Sequence, residues 1–208
     1  MPLVSESTHP LVKQKLAMLR AADTPPSVFR QLVRSLATIL GVEATASLPT
    51  RPTVVRTPLG DAPGVELDGP VAIVPILRAG LGMADGLLDL IPEAQVWHIG
   101  LFRDEATLKP TEYYNKLPSR CQARCALVVD PMLATGGSAV RACEILRNSG
   151  VPSLTFVCLI AAPEGIARLS GAMPDVPIVA GAIDERLTDI GFIYPGLGDA
   201  GDRQFATG

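Results

Sequence analysis

The 208-residue sequence contains few aromatic side chains, modest charge and no excess of basic residues. Phe, Trp and Tyr together make up 4% of the chain, the formal net charge is −3 and the pI is about 5.4. Proteins that bind nucleic acid usually carry a basic face, and those that bind RNA add exposed aromatic side chains for base stacking. The composition therefore argues against a nucleic-acid-binding protein.

Signals for export and for membrane insertion are missing as well. The first residues have neither the basic segment nor the apolar core of a signal peptide. No uncharged apolar stretch reaches the ~18–20 residues of a membrane span. We expect a cytoplasmic protein that does not bind membranes.

The four cysteines do not form a recognisable metal or disulfide pattern. Three residues separate Cys121 from Cys125, where zinc sites usually have two, and neither a second pair nor a nearby histidine completes a site. Cys143 and Cys158 fall within apolar patterns. We expect reduced, mostly buried thiols, as is usual in the cytosol.

The chain is rich in apolar residues. Hydrophobic residues make up 48% of it and charged residues 19%, which supports a large core. From residue 71 onward, continuous apolar runs, in which polar residues do not alternate, are followed in turn by segments with a helical pattern. Such strands are typical of a parallel sheet covered on both faces, so the predicted fold class is α/β with a parallel sheet and flanking helices. The predicted strands are Val71–Leu77, Gln95–Phe102, Cys125–Val129, Leu154–Ala161 and Ile178–Ala180, and the predicted helices are Gly82–Leu90, Ser138–Asn148 and Gly165–Leu169.

The remaining segments complete a predicted single domain over residues 1–208, with a core sheet at 71–182. Residues 10–40 are predicted to form two helices, the second with Thr24 as N-cap and Pro25 in the first helical position. Short β-prone pieces at about 50–67 predict a β-hairpin arm. The glycine-rich tail, about 184–208, shows little periodicity and is predicted to be an ordered loop, here called the C-terminal hood.

The most informative motif joins an apolar strand to a glycine turn. The run Ala126–Val129 ends at Asp130, and the turn Thr135-Gly136-Gly137-Ser138 then opens a helical pattern. Small residues let backbone amides approach an anion, and a helix start adds unpaired N–H groups with partial positive charge. Asp130 falls at the carboxyl end of a strand, where open α/β sheets bind ligands. The motif therefore predicts a phosphate site.

With three further segments, this motif resembles the type I phosphoribosyltransferases and, more narrowly, the uracil phosphoribosyltransferase family. The resemblance covers the chain from about His9 onward. It implies transfer of the phosphoribosyl group of 5-phospho-α-D-ribose 1-diphosphate (PRPP) to uracil, giving UMP and diphosphate, with Mg²⁺. The three segments are 74–83 (VPILRAGLGM), 159–165 (LIAAPEG) and 194–202 (YPGLGDAGD).

The resemblance also implies a set of site residues. Catalytic roles fall to Asp130, Arg78 and Asp199. Uracil is assigned to Ile193, Gly198, Asp199 and Ala200. Magnesium is held mainly by PRPP and water, with Asp199 as a candidate ligand. The residues assigned to PRPP are Arg78, Arg103, Asp130, Pro131, Met132, Leu133, Ala134, Thr135, Gly136, Gly137, Ser138 and Asp199.

Two positions differ from broader family patterns. Many type I enzymes have two adjacent acidic residues where this chain has Asp130-Pro131, a departure that uracil phosphoribosyltransferases share. Phe192 stands where the family often has Tyr, and the neighbouring Ile193 is preserved. The resemblance further implies a cis peptide bond near Arg78 and a mobile hairpin over the site at 103–118.

Alternatives remain open at this point. One is a phosphoribosyltransferase for a purine or for orotate, although orotate needs an added cation that residues 193–200 do not offer. Another is an RNA-binding pyrimidine regulator on the same fold. We expect a homodimer or a higher homo-oligomer, and resemblance to bacterial members suggests GTP as an activator, without a motif that locates it.

Overall fold

The structure is a computed structural model, and it describes residues 3–103, 110–118 and 120–208. The sequence alternates strands and helices over most of this length. In chain order the elements are β1 (Val4–Glu6), α1 (Pro10–Arg20), α2 (Pro26–Thr45), β2 (Thr50–Arg56), β3 (Asp61–Leu67), β4 (Val71–Leu77), α3 (Leu81–Leu90), β5 (Gln95–Val96), β6 (His98–Arg103), β7 (Pro110–Lys116), β8 (Cys125–Val129), β9 (Met132–Leu133), α4 (Gly137–Asn148), β10 (Ser153–Ala161), α5 (Pro163–Ala172), β11 (Ile178–Ile183), β12 (Arg186–Leu187), β13 (Ile193–Tyr194) and α6 (Ala200–Phe205).

A mostly parallel central sheet confirms the predicted fold class. Seven of its strands lie in the order β1-β11-β10-β8-β4-β6-β7, while β5 pairs with β4 and β9 with β10. Of the strands that the structure describes in this sheet, only β7 runs antiparallel to its neighbour. In the middle of the sheet, β4 and β8 pair in parallel from Val71 with Cys125 to Pro75 with Val129. The residues that follow these two strands therefore emerge at the same edge of the sheet.

Helices cover both faces of the sheet because the strands are apolar on both sides. On one face Phe29, Leu36 and Leu87, from α2 and α3, pack in a core that includes strand residues such as Leu127. On the other face residues of α4, such as Leu146, pack in a second core. The carboxyl edge of the sheet is left to loops, and these carry the candidate site.

The predicted strands Val71–Leu77 and Cys125–Val129 are confirmed residue for residue. The predicted strand Gln95–Phe102 is divided at Trp97 into β5 and β6. The predicted cap of the second helix is wrong. Pro25 is the N-cap and the helix begins at Pro26, whereas the Thr24 hydroxyl donates to the Met18 carbonyl at 2.6 Å.

The two ends of the chain contain elements that the sequence pattern did not predict. The three-residue strand β1 adds a parallel edge beside β11, so the sheet is not confined to 71–182. The hood contains α6 rather than loop alone. The side chain of Asp199 caps this helix by accepting a hydrogen bond from the Asp202 amide at 2.9 Å.

The cysteines are free thiols, and Cys125, Cys143 and Cys158 are buried. Burial raises the pKa of each of these three thiols, so they stay protonated at neutral pH and are poor nucleophiles. Within the described residues, no helix combines the length and the apolar character needed to cross a membrane.

Candidate active site

The glycine turn after β8 forms a small concave site, here called the phosphate cradle (residues 134–138). Gly136 takes a left-handed conformation, with φ of 75°, as the N-cap of α4, and Gly137 begins the helix. The first amides of a helix have no intrahelical partner, so they are available to an anion. A cleft of about 100 Å³ is lined by Asp130, Met132, Leu133, Ala134, Thr135, Gly136, Gly137, Ser138 and Ala139.

A larger cleft of about 290 Å³ lies between the sheet edge and the hood. Three residues, Asp130, Met132 and Ala134, line both clefts, so the two adjoin. Asp130 stands where they meet. The other residues lining the larger cleft are Ala79, Ile190, Gly191, Phe192, Ile193, Gly198, Asp199, Ala200 and Gly201.

Asp130 has an unusual electrostatic environment. Burial, with a smaller contribution from the negative charge of Asp199, raises the pKa of its carboxyl to about 7. A hydrogen bond from the Met132 amide, at 3.5 Å, acts in the opposite direction. The ionised form of such a carboxyl is destabilised, and a positive group beside it stabilises that form. Such perturbation in a cleft is typical of functional carboxylates.

Arg78 follows β4 and lies beside the hood. The Leu77–Arg78 peptide bond is cis, as predicted. The guanidinium donates to Asp202 Oδ1 at 3.2 Å and to Thr207 Oγ1 at 3.4 Å. The Arg78 and Asp202 side chains are 56% and 37% exposed, and exposed pairs of this kind contribute little to stability. Arg78 can therefore exchange these partners for the oxygens of an anionic ligand at small cost.

A buried ion pair fixes the hood over the cleft. Arg20 of α1 donates to both carboxylate oxygens of Asp184, at 2.7 and 2.5 Å, and to the Gly196 carbonyl at 2.8 Å. Asp184 in turn accepts a hydrogen bond from the Gly196 amide at 2.9 Å. Arg203 adds a second tie, because its guanidinium donates to the Leu197 carbonyl and stacks over the Phe29 ring. These contacts hold the loop that carries the predicted uracil residues.

We expect Asp184→Ala to loosen the hood. The change leaves the Arg20 charge and the Gly196 amide without their partner, and losses of this kind cost about 2–3 kcal/mol. The melting temperature should fall and the KM for uracil should rise more than that for PRPP. Asp175→Ala is the matched control, because Asp175 is 63% exposed and pairs with Arg147 of α4. Equal behaviour of the two variants would contradict this role.

The floor of the phosphate cradle depends on close backbone contact with α5. A Cβ added at Gly165 would lie 2.3 Å from the Ala134 carbonyl oxygen and 2.5 Å from that of Leu133. A Cβ at Gly136 would lie 2.8 Å from the Gly165 carbonyl oxygen. Only glycine allows the two segments to meet at this distance.

Gly165→Ala should therefore displace the phosphate cradle. We expect the KM for PRPP to rise at least about tenfold, because small misplacements of a binding loop are costly. Gly171→Ala, in the same helix, is the matched control, since a Cβ there meets nothing within 4 Å. Steady-state kinetics with varied PRPP compare the two variants, and an unchanged KM in Gly165→Ala would exclude the predicted dependence.

Among the described side chains, two predicted residues, Arg78 and Pro131, do not line these clefts. Pro131 is buried, and its carbonyl accepts hydrogen bonds from the amides of Leu159 and Ile160 within the sheet. Arg103 is the last residue of β6, and its side chain lies outside the described part of the chain. Of the predicted hairpin at 103–118, residues 104–109 also lie outside it, whereas β7 pairs antiparallel with β6.

Several positioning residues escaped the sequence analysis because their partners are distant in the chain. Arg20 and Asp184 are 164 residues apart, and no local pattern joins them. Arg168 of α5 is a further cation beside the cradle, with its guanidinium 3.4 Å from the Thr135 carbonyl oxygen. An arginine shortly after the LIAAPEG segment was a usable signal for this residue.

Comparison with known proteins agrees with this geometry. The family model described as uracil phosphoribosyltransferase matches residues 6–207. A protein of that name from Roseiflexus sp. (strain RS-1) is 56% identical over 208 residues, which cover 100% of both chains.

Solved structures give the same result for the fold. A structure of a protein from Aquifex aeolicus has a TM-score of 0.92 at 37% identity, with 98% of each chain covered. A hypoxanthine-guanine phosphoribosyltransferase from Bacillus anthracis has a TM-score of 0.51 at 11% identity, covering 76% of this chain and 80% of that one, and it shows likeness of fold alone. The fold is that of the type I phosphoribosyltransferases, and the chain belongs to the uracil phosphoribosyltransferase family.

Proposed function

We propose that this protein transfers the phosphoribosyl group of PRPP to uracil, giving UMP and diphosphate. The observation that carries the proposal is the junction at Asp130, where the phosphate cradle meets the cleft beneath the hood. One ligand with a 5′-phosphate, a ribose and a flat base would span two adjoining clefts of this kind. Membership of the family supports uracil as the base.

The phosphate cradle binds the 5′-phosphate in this proposal. The backbone amides at the start of α4 supply donors, and the hydroxyls of Thr135 and Ser138 add two more. Asp130, at the junction with the larger cleft, then accepts hydrogen bonds from the ribose hydroxyls. Its carboxylate also stabilises positive charge that develops at the anomeric carbon as the bond to diphosphate loosens.

Arg78 binds the departing diphosphate, because a guanidinium meets two phosphate oxygens at once. Among the described residues, no group of three or more His, Cys, Asp or Glu side chains forms a metal site. Oxygen ligands nevertheless suit Mg²⁺, and Asp199 offers a carboxylate beside Asp130 and Arg78. When bound, mainly through PRPP and water, magnesium would neutralise the charge of the diphosphate.

The hood binds uracil through its backbone. Uracil needs donors for its carbonyl oxygens and an acceptor for its N–H, and Ile193, Gly198 and Ala200 line the cleft where these are required. Positive φ values at Gly196 and Gly198, of 63° and 79°, shape this loop. Catalysis is then mainly a matter of positioning and electrostatic stabilisation, with no covalent enzyme intermediate.

A direct assay tests the proposal. The protein is incubated with Mg²⁺, PRPP and one base at a time, namely uracil, cytosine, hypoxanthine, guanine or orotate, and nucleotide is followed by chromatography. We expect UMP as the only product, dependent on Mg²⁺. Formation of another nucleotide in preference to UMP would contradict the choice of base.

We also propose that the arm formed by β2 and β3 joins copies of this chain. In the described part of the chain the two strands pair only with each other, and a two-stranded hairpin is marginal alone. The pairing places Pro52, Val54, Pro63 and Val65 on one face, where Val54 and Val65 are 70% and 71% exposed. An exposed apolar face on an extended arm is typical of a protein interface.

Sedimentation analysis tests the arm. A double variant, Val54→Asp with Val65→Asp, should shift the protein to a smaller species at micromolar concentration. Val55→Asp is the matched control, because Val55 lies on the opposite face of the same hairpin. An unchanged oligomeric state in the double variant would exclude the arm as the interface. Activation by GTP and a cytoplasmic location stay predictions.

A further inference from the structure

Gln204 of α6 is an amide side chain that is completely buried, with 0% exposure. Its Nε2 donates to two backbone carbonyls, that of Ala79 at 2.9 Å and that of Ala200 at 3.0 Å. Both hydrogens of the amide group are therefore used in hydrogen bonds, and the two carbonyls that accept them are far apart in sequence. Its backbone is fixed from the other side, because Arg30 of α2 donates to the Gln204 carbonyl at 2.7 Å.

The two segments belong to the two halves of the candidate site. Ala79 follows Arg78 in the loop assigned to diphosphate, and Ala200 is one of the residues assigned to uracil. Both line the larger cleft. Ala200 begins α6, four residues before Gln204, so the bond to Ala200 fixes the amide within its own helix, and the bond to Ala79 joins the start of that helix, where the base-side loop ends, to the loop on the diphosphate side.

Stability alone does not account for an amide at this position. Gln204 Oε1 is buried and has no hydrogen-bond partner among the described residues. A buried polar atom left unpaired costs about 1–3 kcal/mol, so an apolar side chain of similar size avoids a cost that glutamine carries. The reverse orientation of the amide would set its oxygen against both carbonyls, which fixes Nε2 as the atom that bridges them.

Gly82 provides the room for the unpaired oxygen. A Cβ added at Gly82 would lie 1.9 Å from Gln204 Oε1, closer than any contact allows. Gly82 lies in α3 and does not line the clefts of the candidate site, so this position offers a way to move the amide without changing the residue that bridges the loops.

We propose that Gln204 is a positioning residue that couples the diphosphate loop to the uracil loop, so that a ligand on one side strengthens binding on the other. The proposal rests on the function proposed above. A loop held by a shared donor becomes better ordered when its partner loop is occupied, and such linkage is reciprocal.

Calorimetry measures the coupling without turnover. The Kd of uracil is determined with and without saturating magnesium diphosphate, in the wild type, Gln204→Met and Gly82→Ala. We expect diphosphate to tighten uracil binding at least about fivefold in the wild type, and the ratio to fall within about twofold of one in both variants. Gly171→Ala is the control for a helical glycine in open space and should keep the wild-type ratio.

Each outcome supports or contradicts the coupling between the diphosphate loop and the uracil loop. A wild-type ratio of one, or a ratio that both variants retain, would overturn the coupling. Loss of folding in both variants, as monitored by thermal melting, would also overturn the coupling, because Gln204 would then serve stability only. UMP formation by the wild type is measured separately, so failure of the proposed function is distinguished from failure of this inference.

Discussion

Replacing Asp130 by Asn should lower kcat by about 10²–10³-fold while making the folded protein more stable above neutral pH. The loss follows because the neutral amide cannot stabilise positive charge at the anomeric carbon. The gain follows because burial raises the pKa of Asp130 from 3.8 to about 7. A carboxyl that is easier to ionise in the unfolded chain destabilises the fold once the pH exceeds its unfolded pKa.

The pH dependence of the effect has a definite sign. As pH rises from about 4 to about 7, the unfolded chain loses the Asp130 proton first, so the wild type loses stability over this window, by up to about 4 kcal/mol. The amide of the Asp130→Asn variant does not titrate in this range. The melting temperature of the variant should therefore exceed that of the wild type at pH 8 and approach it at pH 4.

The exposed carboxylate of Asp175 provides the control for Asp130. Asp175→Asn removes a charge that is 63% exposed, and it should leave both kcat and the pH dependence of melting close to wild type. An Asp130→Asn variant that is active, or that melts below the wild type at pH 8, would contradict the role and the environment assigned to this carboxyl.

Arg78→Ala should reduce kcat/KM for PRPP by about 10²–10³-fold, with a fall in kcat and a rise in KM for PRPP together. The guanidinium binds the diphosphate in the ground state and stabilises its growing charge as the bond breaks. Arg78→Lys keeps the charge but not the planar fork, so it should fall between the alanine variant and the wild type. Steady-state kinetics with varied PRPP and saturating uracil give both parameters.

Two further variants separate the role of Arg78 from its contacts in the free protein. Asp202→Asn removes the exposed ion pair and should change kcat/KM by less than about tenfold, since such pairs contribute little. Arg124→Ala removes an exposed arginine that pairs with Asp68 and should have no measurable effect. Near-normal kinetics in Arg78→Ala would exclude Arg78 from the site.

The strands of the core and the cradle could be predicted because their signals are local. Cys125–Val129 is an unbroken apolar run, and Gly136 and Gly137 mark the turn that follows it. The uninterrupted apolar character of the strands indicated the parallel sheet, and the sheet in turn places Asp130 and Arg78 at one edge.

The elements that the sequence did not reveal depend on distant contacts. α6 has only six residues, too few for a helical period, and it is held by the Asp199 cap and by Arg203. The N-cap of α2 lies at Pro25 instead of Thr24, whose hydroxyl donates to the Met18 carbonyl, a contact six residues away that the capping pattern does not contain. The bridge made by Gln204 joins segments 125 residues apart, beyond any local pattern.

The most direct test of the account is a crystal structure of the protein with UMP bound. The 5′-phosphate should lie on the amides of 134–138, the ribose hydroxyls against Asp130, and the uracil ring against the backbone of Ile193 and Ala200. A nucleotide whose phosphate lies away from the cradle, or whose base does not contact the hood, would contradict the shared junction on which the proposed reaction depends.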